Sequence, residues 1–129
     1  ATVLRLGREN GVPLMHTLSQ LSYWIAKHLG DTGLGAMQER GRMQEGMVAD
    51  IVIFDPENVT EHANYDAGTN GLASTGIPYV LVNGTIVVKE SRVLKDTYPG
   101  QSIRFPAEDK GRFVPVPGDF YLNEYADGK

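Results

Sequence analysis

Apolar residues recur at spacings of three and four through Leu14, Leu18, Leu21, Ile25 and Leu29. One helical face collects all five, so the pattern predicts a single amphipathic helix over 14–29. Pro13 suits its first turn and Gly30 is the expected stop. A short second helix is predicted over 33–40, ended by Gly41. Ahead of Pro13, the residues Val3, Leu4 and Leu6 read as the end of another helix, closed either by Gly7 or by Asn10-Gly11.

At about residue 46 the helical period gives way to short extended runs. Ile51 to Phe54 is a β-branched stretch ended by Asp55-Pro56, a turn signal. Residues 57–76 are rich in Asn, Thr and Ser and read as a long surface loop. The clearest element is the run Tyr79-Val80-Leu81-Val82-Asn83-Gly84-Thr85-Ile86-Val87-Val88. Asn-Gly tolerates positive φ at both central positions, so a two-residue type I′ hairpin follows. Both arms are apolar on each face, which predicts a strand pair covered on both sides. A further strand is expected around Arg92 to Leu94. Beyond Tyr98-Pro99-Gly100, prolines at 106, 115 and 117 predict an extended wrap with strand fragments near Ile103 and Phe113. The last ten residues read as a frayed end. There is no internal repeat. The fold class is therefore α+β, mainly β, with helices first and strands after.

A chain of 129 residues can bury one modest core. With 41% hydrophobic and 22% charged residues it falls in the range of ordinary globular domains. The net charge of −4 argues against nucleic acid, which wants a basic face. No cysteine occurs, which excludes a disulfide, a thiolate zinc site or a cysteine nucleophile within this sequence. No apolar run reaches the roughly 18 residues a membrane helix needs, and no signal peptide opens the chain. Neither membrane nor nucleic acid is an expected partner, and the expected compartment is the cytoplasm. Opening on Ala1 rather than methionine is in keeping with a piece of a longer protein.

Candidate chemistry is sparse. His16 and His28, on one predicted helix, would lie about 120° apart around the axis and about 18 Å apart along it, too far to share a metal. His62 falls in the loop beside Glu61. No His-x-His, His-Glu-x-x-His or paired-carboxylate spacing occurs. Asp50 and Asp55 bracket a strand, where acids can act as ligands or bases. Their simpler role is to accept hydrogen bonds from turn amides and to start the Asp-Pro turn. Tyr23 and Trp24 read as packing residues. Ser19, Ser22 and Ser74-Thr75 lack the Gly-x-Ser-x-Gly elbow, and the glycines at 30, 33 and 35 lack the strand and Lys-Ser/Thr of a phosphate loop. Lys89, Arg92, Lys95, Lys110 and Arg112 alternate with acids as a solvated face. No residue of this chain is assigned a catalytic, cofactor-binding or metal-binding role.

The richest segment is Gly41-Arg42-Met43-Gln44-Glu45-Gly46-Met47-Val48-Ala49-Asp50-Ile51-Val52-Ile53-Phe54-Asp55-Pro56. It resembles the Gly-x-Ile/Leu-x-x-Gly-x-x-Ala-Asp-Leu/Ile-Val-Val/Ile-Phe/Leu-Asp pattern of the amidohydrolase superfamily. Ala26-Lys27-His28-Leu29-Gly30, Gly76-Ile77-Pro78-Tyr79-Val80-Leu81-Val82-Asn83-Gly84 and Pro99-Gly100-Gln101-Ser102-Ile103-Arg104 are similar to segments of N-acyl-D-amino-acid deacylases, the D-aminoacylases. The loop with Ala63-Asn64-Tyr65 fits that branch, and the tail leans toward its D-glutamate members. Alone, the first segment points only to the superfamily; the ordered set, over roughly residues 13–115, is specific to the D-aminoacylases. The family pattern has proline just before Ala26, where this chain has Ile25. That departure predicts a smoother or longer helix here, since an interior proline costs about 3 kcal/mol.

The resemblance implies a (β/α)8 barrel enzyme whose small β-sandwich, a composite domain, is built from sequences flanking the barrel. Residues 1–45 would be terminal helices of the barrel region, 46–105 the sandwich portion and 106–129 an extended tail. In the parent enzyme, barrel histidines with a cysteine or carboxylate would bind zinc and activate water. A barrel aspartate would move the proton as an N-acyl-D-amino acid is hydrolysed. None of those ligand motifs has a counterpart here, and a barrel needs about 250 residues. The implied role is structural: a C-terminal non-catalytic portion, inactive alone and binding no zinc. Its partners would be the barrel and the N-terminal β strands. Two other readings stand beside this one: a freestanding β-rich binding or interaction module, and a small hydrolase using Asp50 with a histidine.

Overall fold

The computed structural model describes residues 1–107. Three short helices come first: α1 (Thr2–Glu9), α2 (Leu14–Leu21) and α3 (Tyr23–Asp31). Four strands follow as an antiparallel meander in chain order, β1 (Ile51–Ile53), β2 (Tyr79–Val82), β3 (Thr85–Lys89) and β4 (Arg92–Val93). The architecture is α+β, with the change of period near residue 46 marking the passage from helices to sheet.

Both α1 and α3 end in Schellman motifs, and this decides which glycines stop them. At α1, Val12 N–H reaches Gly7 O at 2.8 Å and Gly11 N–H reaches Arg8 O at 3.1 Å, with Gly11 at φ 67°. Asn10-Gly11 is therefore the terminator, and Gly7 lies inside the helix. At α3, Leu34 N–H reaches Leu29 O and Gly33 N–H reaches Gly30 O, with Gly33 at φ 98°. Glycine takes this left-handed position without a Cβ penalty, and the following apolar residue closes the motif by packing back. Leu34 does so and is buried. Gly30, the expected stop, instead lies within α3, where a Cβ would come to 3.1 Å from Gln38 Cγ. The helix expected over 33–40 is reduced to one 3₁₀ turn, Gly35–Met37. Leu34 at φ −83°, ψ 80° breaks the helical path so that its side chain can turn inward.

The single helix expected over 14–29 is two helices, with a break at Ser22 (φ −130°, ψ −73°). The break redirects α3 so that Ser22, Ala26 and Gly30, four residues apart, form a seam of small side chains. The segment 38–41 runs along that seam. Gln38 passes Gly30, and Gly41 sits where a Cβ would come to 2.5 Å from Ala26 Cβ and 2.9 Å from Ser22 O. Ser22 Oγ donates to Gly41 O at 2.8 Å and ties the two together. The smooth helix expected over 14–29 is therefore interrupted at Ser22. Position 25 is the third residue of α3, in its first turn, where proline is tolerated. Ile25→Pro should shift the urea midpoint by less than about 1 kcal/mol, whereas Leu18→Pro inside α2 should lose about 3 kcal/mol. Equal losses would mean the helix runs through.

The hairpin register is Val80↔Val88 and Val82↔Thr85, with a bulge between Val80 and Leu81. Asn83 (φ 49°) and Gly84 (φ 78°) take the two left-handed positions of a type I′ turn. Glu90 and Ser91 do the same between β3 and β4 (φ 51° and 62°), without a glycine to mark the turn in the sequence. The loop over 57–76 is pinned at its base by an antiparallel bridge between Thr60 and Thr75. Val59 beside that bridge is fully buried, against Gly76, where a Cβ would meet Val59 Cα at 2.7 Å. No strand is formed at Ile103, which lies in irregular chain outside the four-stranded sheet. The expected strand fragment near Phe113 and the frayed end lie outside the described residues.

Among the described residues, only Ala26, Leu34 and Val59 are buried apolar residues. All four residues of β2 are half-buried. The hairpin that is apolar on both faces has neither face closed.

Candidate functional site

Among the described residues an apolar groove of about 1190 Å³ lies between the helices and the segment leading into β1. Leu18, Leu21, Met43, Met47, Val52 and Phe54 supply much of its wall. Met43 is 84% exposed and Met15, at the rim, 74%.

Asp50, the acid with the strongest prior claim to chemistry, holds the groove's floor together. Its Oδ1 accepts from the backbone N–H of Asn83 at 2.8 Å, at the tip of the β2–β3 hairpin. Its Oδ2 accepts from Arg40 Nε at 3.1 Å, and Arg40 Nη1 donates onward to Ala36 O. Gly84 N–H donates to Ala49 O at 2.9 Å. One carboxylate thus joins the 3₁₀ turn, the start of β1 and the hairpin turn. The turn amide it serves is 33 residues away in sequence rather than adjacent. Asp55 fills the local role, accepting from the amides of Glu57 and Asn58 and from the Asn58 side chain. Those bonds, the Asn58 side chain first, hold its carboxyl below the usual range.

The histidines do not join either acid. His16 and His28 stand exposed on separate helices, and His28 occupies the last turn of α3, where its charge would suit the dipole. His62 is exposed with Nε2 2.9 Å from Thr75 Oγ1. Tyr23 and Trp24 meet edge-to-face at 5.1 Å, and the Arg42 guanidinium lies 6.0 Å from the centre of the Tyr23 ring. Among the described residues no three His, Cys, Asp or Glu side chains come together as a metal site.

Sequence reading missed one polar link. Arg5 on α1 donates through Nε (2.9 Å) and Nη2 (2.5 Å) to Glu61 Oε1, and through Nη1 to Glu9. Arg8 donates to Pro56 O at 2.7 Å. Two arginines one helical turn apart thus fasten α1 to the far side of the sheet module. The separation of 56 residues leaves no local signal. The Arg5 hydrogen bonds pull the Glu61 carboxyl from its ordinary 4.5 down to about 2. A carboxylate held lower in the folded state stabilises fully above its unfolded value and loses that contribution as pH falls through the folded one. The stability difference between the wild type and Glu61→Gln should therefore be constant above pH 4.5, shrink below it and vanish near pH 2. Urea titrations across that range measure it, and a difference that stays constant to pH 2 would remove the ion pair from the account.

No protein-family model matches the chain. Two solved structures of D-aminoacylase resemble it, each with a TM-score of 0.61 and with 29% and 30% identity. Each match covers 73% of this chain and 19% of the other. One is described through its binuclear metal center, the other as defining a novel subset of amidohydrolases. The likeness is therefore to part of an amidohydrolase. N-acyl-D-glutamate deacylase of Alcaligenes xylosoxydans xylosoxydans is 40% identical over 75 residues, 58% of this chain and 14% of its own length. N-acyl-D-aspartate deacylase of the same organism is 43% identical over 74 residues, 54% of this chain and 14% of its length. The chain is thus similar to one part of these D-aminoacylases and deacylases. It spans about a seventh of the length of these curated relatives.

Proposed function

We propose that this chain is the C-terminal, non-catalytic portion of a metal-dependent amidohydrolase that cleaves N-acyl-D-amino acids to a carboxylate and a D-amino acid. The observation that carries the reading is the uncovered apolar surface. A groove, a hairpin apolar on both faces and a core of three buried apolar residues among the described ones support a module whose packing further polypeptide would complete. Glu61 Oε2, buried without a hydrogen-bond partner among the described residues, supports the same reading. The remaining polypeptide of a barrel enzyme, including N-terminal strands, would cover these surfaces and complete a β-sandwich with β1–β4. Residues 1–45 would be its last helices, 46–105 its sandwich portion and 106–129 its tail.

Zinc chemistry and the general base would belong to the barrel, since no described cluster here can ligate a metal. The similarity to the D-glutamate and D-aspartate deacylases favours an acidic D-amino acid product, with D-glutamate first. No helix among the described residues is long and apolar enough to cross a membrane, and the proposed compartment is the cytoplasm. The arrangement of Asp50 works against a small hydrolase built on it, because its bonds go to Arg40 and Asn83 and to no histidine.

The test is complementation. A D-glutamate deacylase truncated to lack its matching segment is co-expressed with this chain and assayed on N-acetyl-D-glutamate with zinc. Recovery of soluble complex and hydrolysis is the expected result. A folded, monomeric chain that neither binds the truncated enzyme nor restores turnover would overturn the proposal. So would hydrolysis by the chain alone that Asp50→Ala abolishes.

A further inference from the structure

Asn-Gly occurs three times, at Asn10-Gly11, Asn70-Gly71 and Asn83-Gly84, and all six residues are exposed. Each dipeptide is open to the same spontaneous reaction. The glycine amide nitrogen loses its proton and attacks the asparagine Cγ. A new N–C bond closes a five-membered imide, the Cγ–Nδ2 bond breaks, and ammonia leaves carrying the proton. Water then opens the ring at either carbonyl, giving aspartate or isoaspartate. A glycine side imposes no Cβ on the closing ring, which makes its amide the most accessible nucleophile of this kind. What differs among the three is the state of that amide.

At Asn83-Gly84, the Gly84 N–H donates to Ala49 O at 2.9 Å and the Asn83 N–H donates to Asp50 Oδ1 at 2.8 Å. Arg40 holds the other oxygen of Asp50. The turn is fixed at both left-handed positions within a paired hairpin. Ring closure would have to break those bonds and rotate the Asn83 backbone. At Asn10-Gly11, the Gly11 N–H donates to Arg8 O, and Asn10 Nδ2, the leaving amine, donates to Leu6 O at 2.8 Å. Asn70-Gly71 lies at the centre of a turn that Leu72 N–H closes on Thr69 O at 3.2 Å, but the two reacting groups are left out of it: the Gly71 amide makes no hydrogen bond among the described residues, and Gly71 is not held at positive φ.

We propose that the fold directs spontaneous deamidation to Asn70 and shields Asn83 through Asp50 and Ala49. The selectivity has a consequence for the sheet. A carboxylate at position 83 would stand beside Asp50, and an isoaspartate would add a backbone carbon to a turn that closes on two residues. The same change at position 70 falls in an exposed loop outside the sheet.

The test uses the 129-residue chain incubated at mildly alkaline pH, with peptide mapping by mass spectrometry to follow amide-to-acid conversion at each asparagine. In the native chain, conversion at Asn70 should outpace that at Asn83 and Asn10 by about tenfold or more, the factor expected when closure must first break a net hydrogen bond or two. In concentrated urea the three rates should converge. Asp50→Ala should raise the Asn83 rate about tenfold and leave the Asn70 rate unchanged. If that variant unfolds, Asn10 will accelerate with Asn83, and the native-against-urea ranking of the wild type decides alone. Equal native rates, or Asn83 the fastest, would overturn the proposal.

Discussion

Gly41→Ala should destabilise the chain by about 3 kcal/mol or more, and Gly46→Ala by only about 1 kcal/mol. Both glycines sit at nearly the same left-handed angle, φ 84° and 82°. An alanine in that region costs about 1–2 kcal/mol on backbone grounds alone. The difference between them is space. Nothing lies within 4 Å of a Cβ at Gly46, whereas at Gly41 it would overlap Ala26 Cβ at 2.5 Å and press on Ser22 O at 2.9 Å. Neither neighbour is the far end of a flexible chain, so relief requires the 38–41 segment to lift off α3. Ala26 is one of the three buried apolar residues, and separation there opens much of what core the chain has. Urea midpoints of the two variants measured side by side decide the point. Losses of equal size would show that backbone angle, and not the seam along α3, is what these glycines serve.

The isolated chain should bind an apolar fluorescent dye and associate as its concentration rises. Met15, Met43, Val52 and Ile53 are between 49% and 84% exposed, and they lie along or beside the groove and β1. Each exposed aliphatic of this size forgoes about 1.5–3 kcal/mol that burial would supply. Among the described residues β1 is also an edge strand, with β2 on one side and no strand on the other. Edges of that kind recruit further strands unless charge or proline guards them. Replacing Met15 and Met43 with Gln and Val52 and Ile53 with Thr should weaken association about tenfold or more, since each change removes about 1 kcal/mol of apolar attraction. Sedimentation across a concentration series measures this. A wild-type chain that stays monomeric and leaves the dye dark would mean that these surfaces need no partner, and the proposed place in a larger enzyme would fall with them.

Legibility followed the range of the interactions. The hairpin at Asn83-Gly84 was plain because its turn depends on two adjacent residues and its arms on neighbours in sequence. The matching turn at Glu90-Ser91 was not, because pairing of Lys89 with Arg92 imposes left-handed angles on residues that do not prefer them. Helix α1 was visible with its end left open between two glycines. Packing chose between them: Gly7 lets Thr17 of α2 come within 2.8 Å of where a Cβ would be, so it belongs inside the helix, and Asn10-Gly11 makes the cap. Val59 shows the opposite failure. It lies in a segment whose composition reads as loop, yet among the described residues it is the one fully buried side chain, because the Thr60–Thr75 bridge folds the loop back over it.

By itself, the sequence determined the α+β order of elements, the two-residue turn at Asn83-Gly84, the absence of any cysteine-based chemistry and the resemblance to D-aminoacylases. These rest on local conformational preference, composition and motif order, which need no contact across the chain. Only the tertiary structure decided that α2 and α3 part at Ser22, that Gly41 lies on Ala26, and that Asp50 spans from Arg40 to Asn83. It alone showed that Arg5 reaches Glu61 and that the groove and sheet stand uncovered among the described residues. The contacts among these join residues 10 to 56 positions apart. Such approaches are set by how faces pack, and the spacing of residues along a chain does not record them.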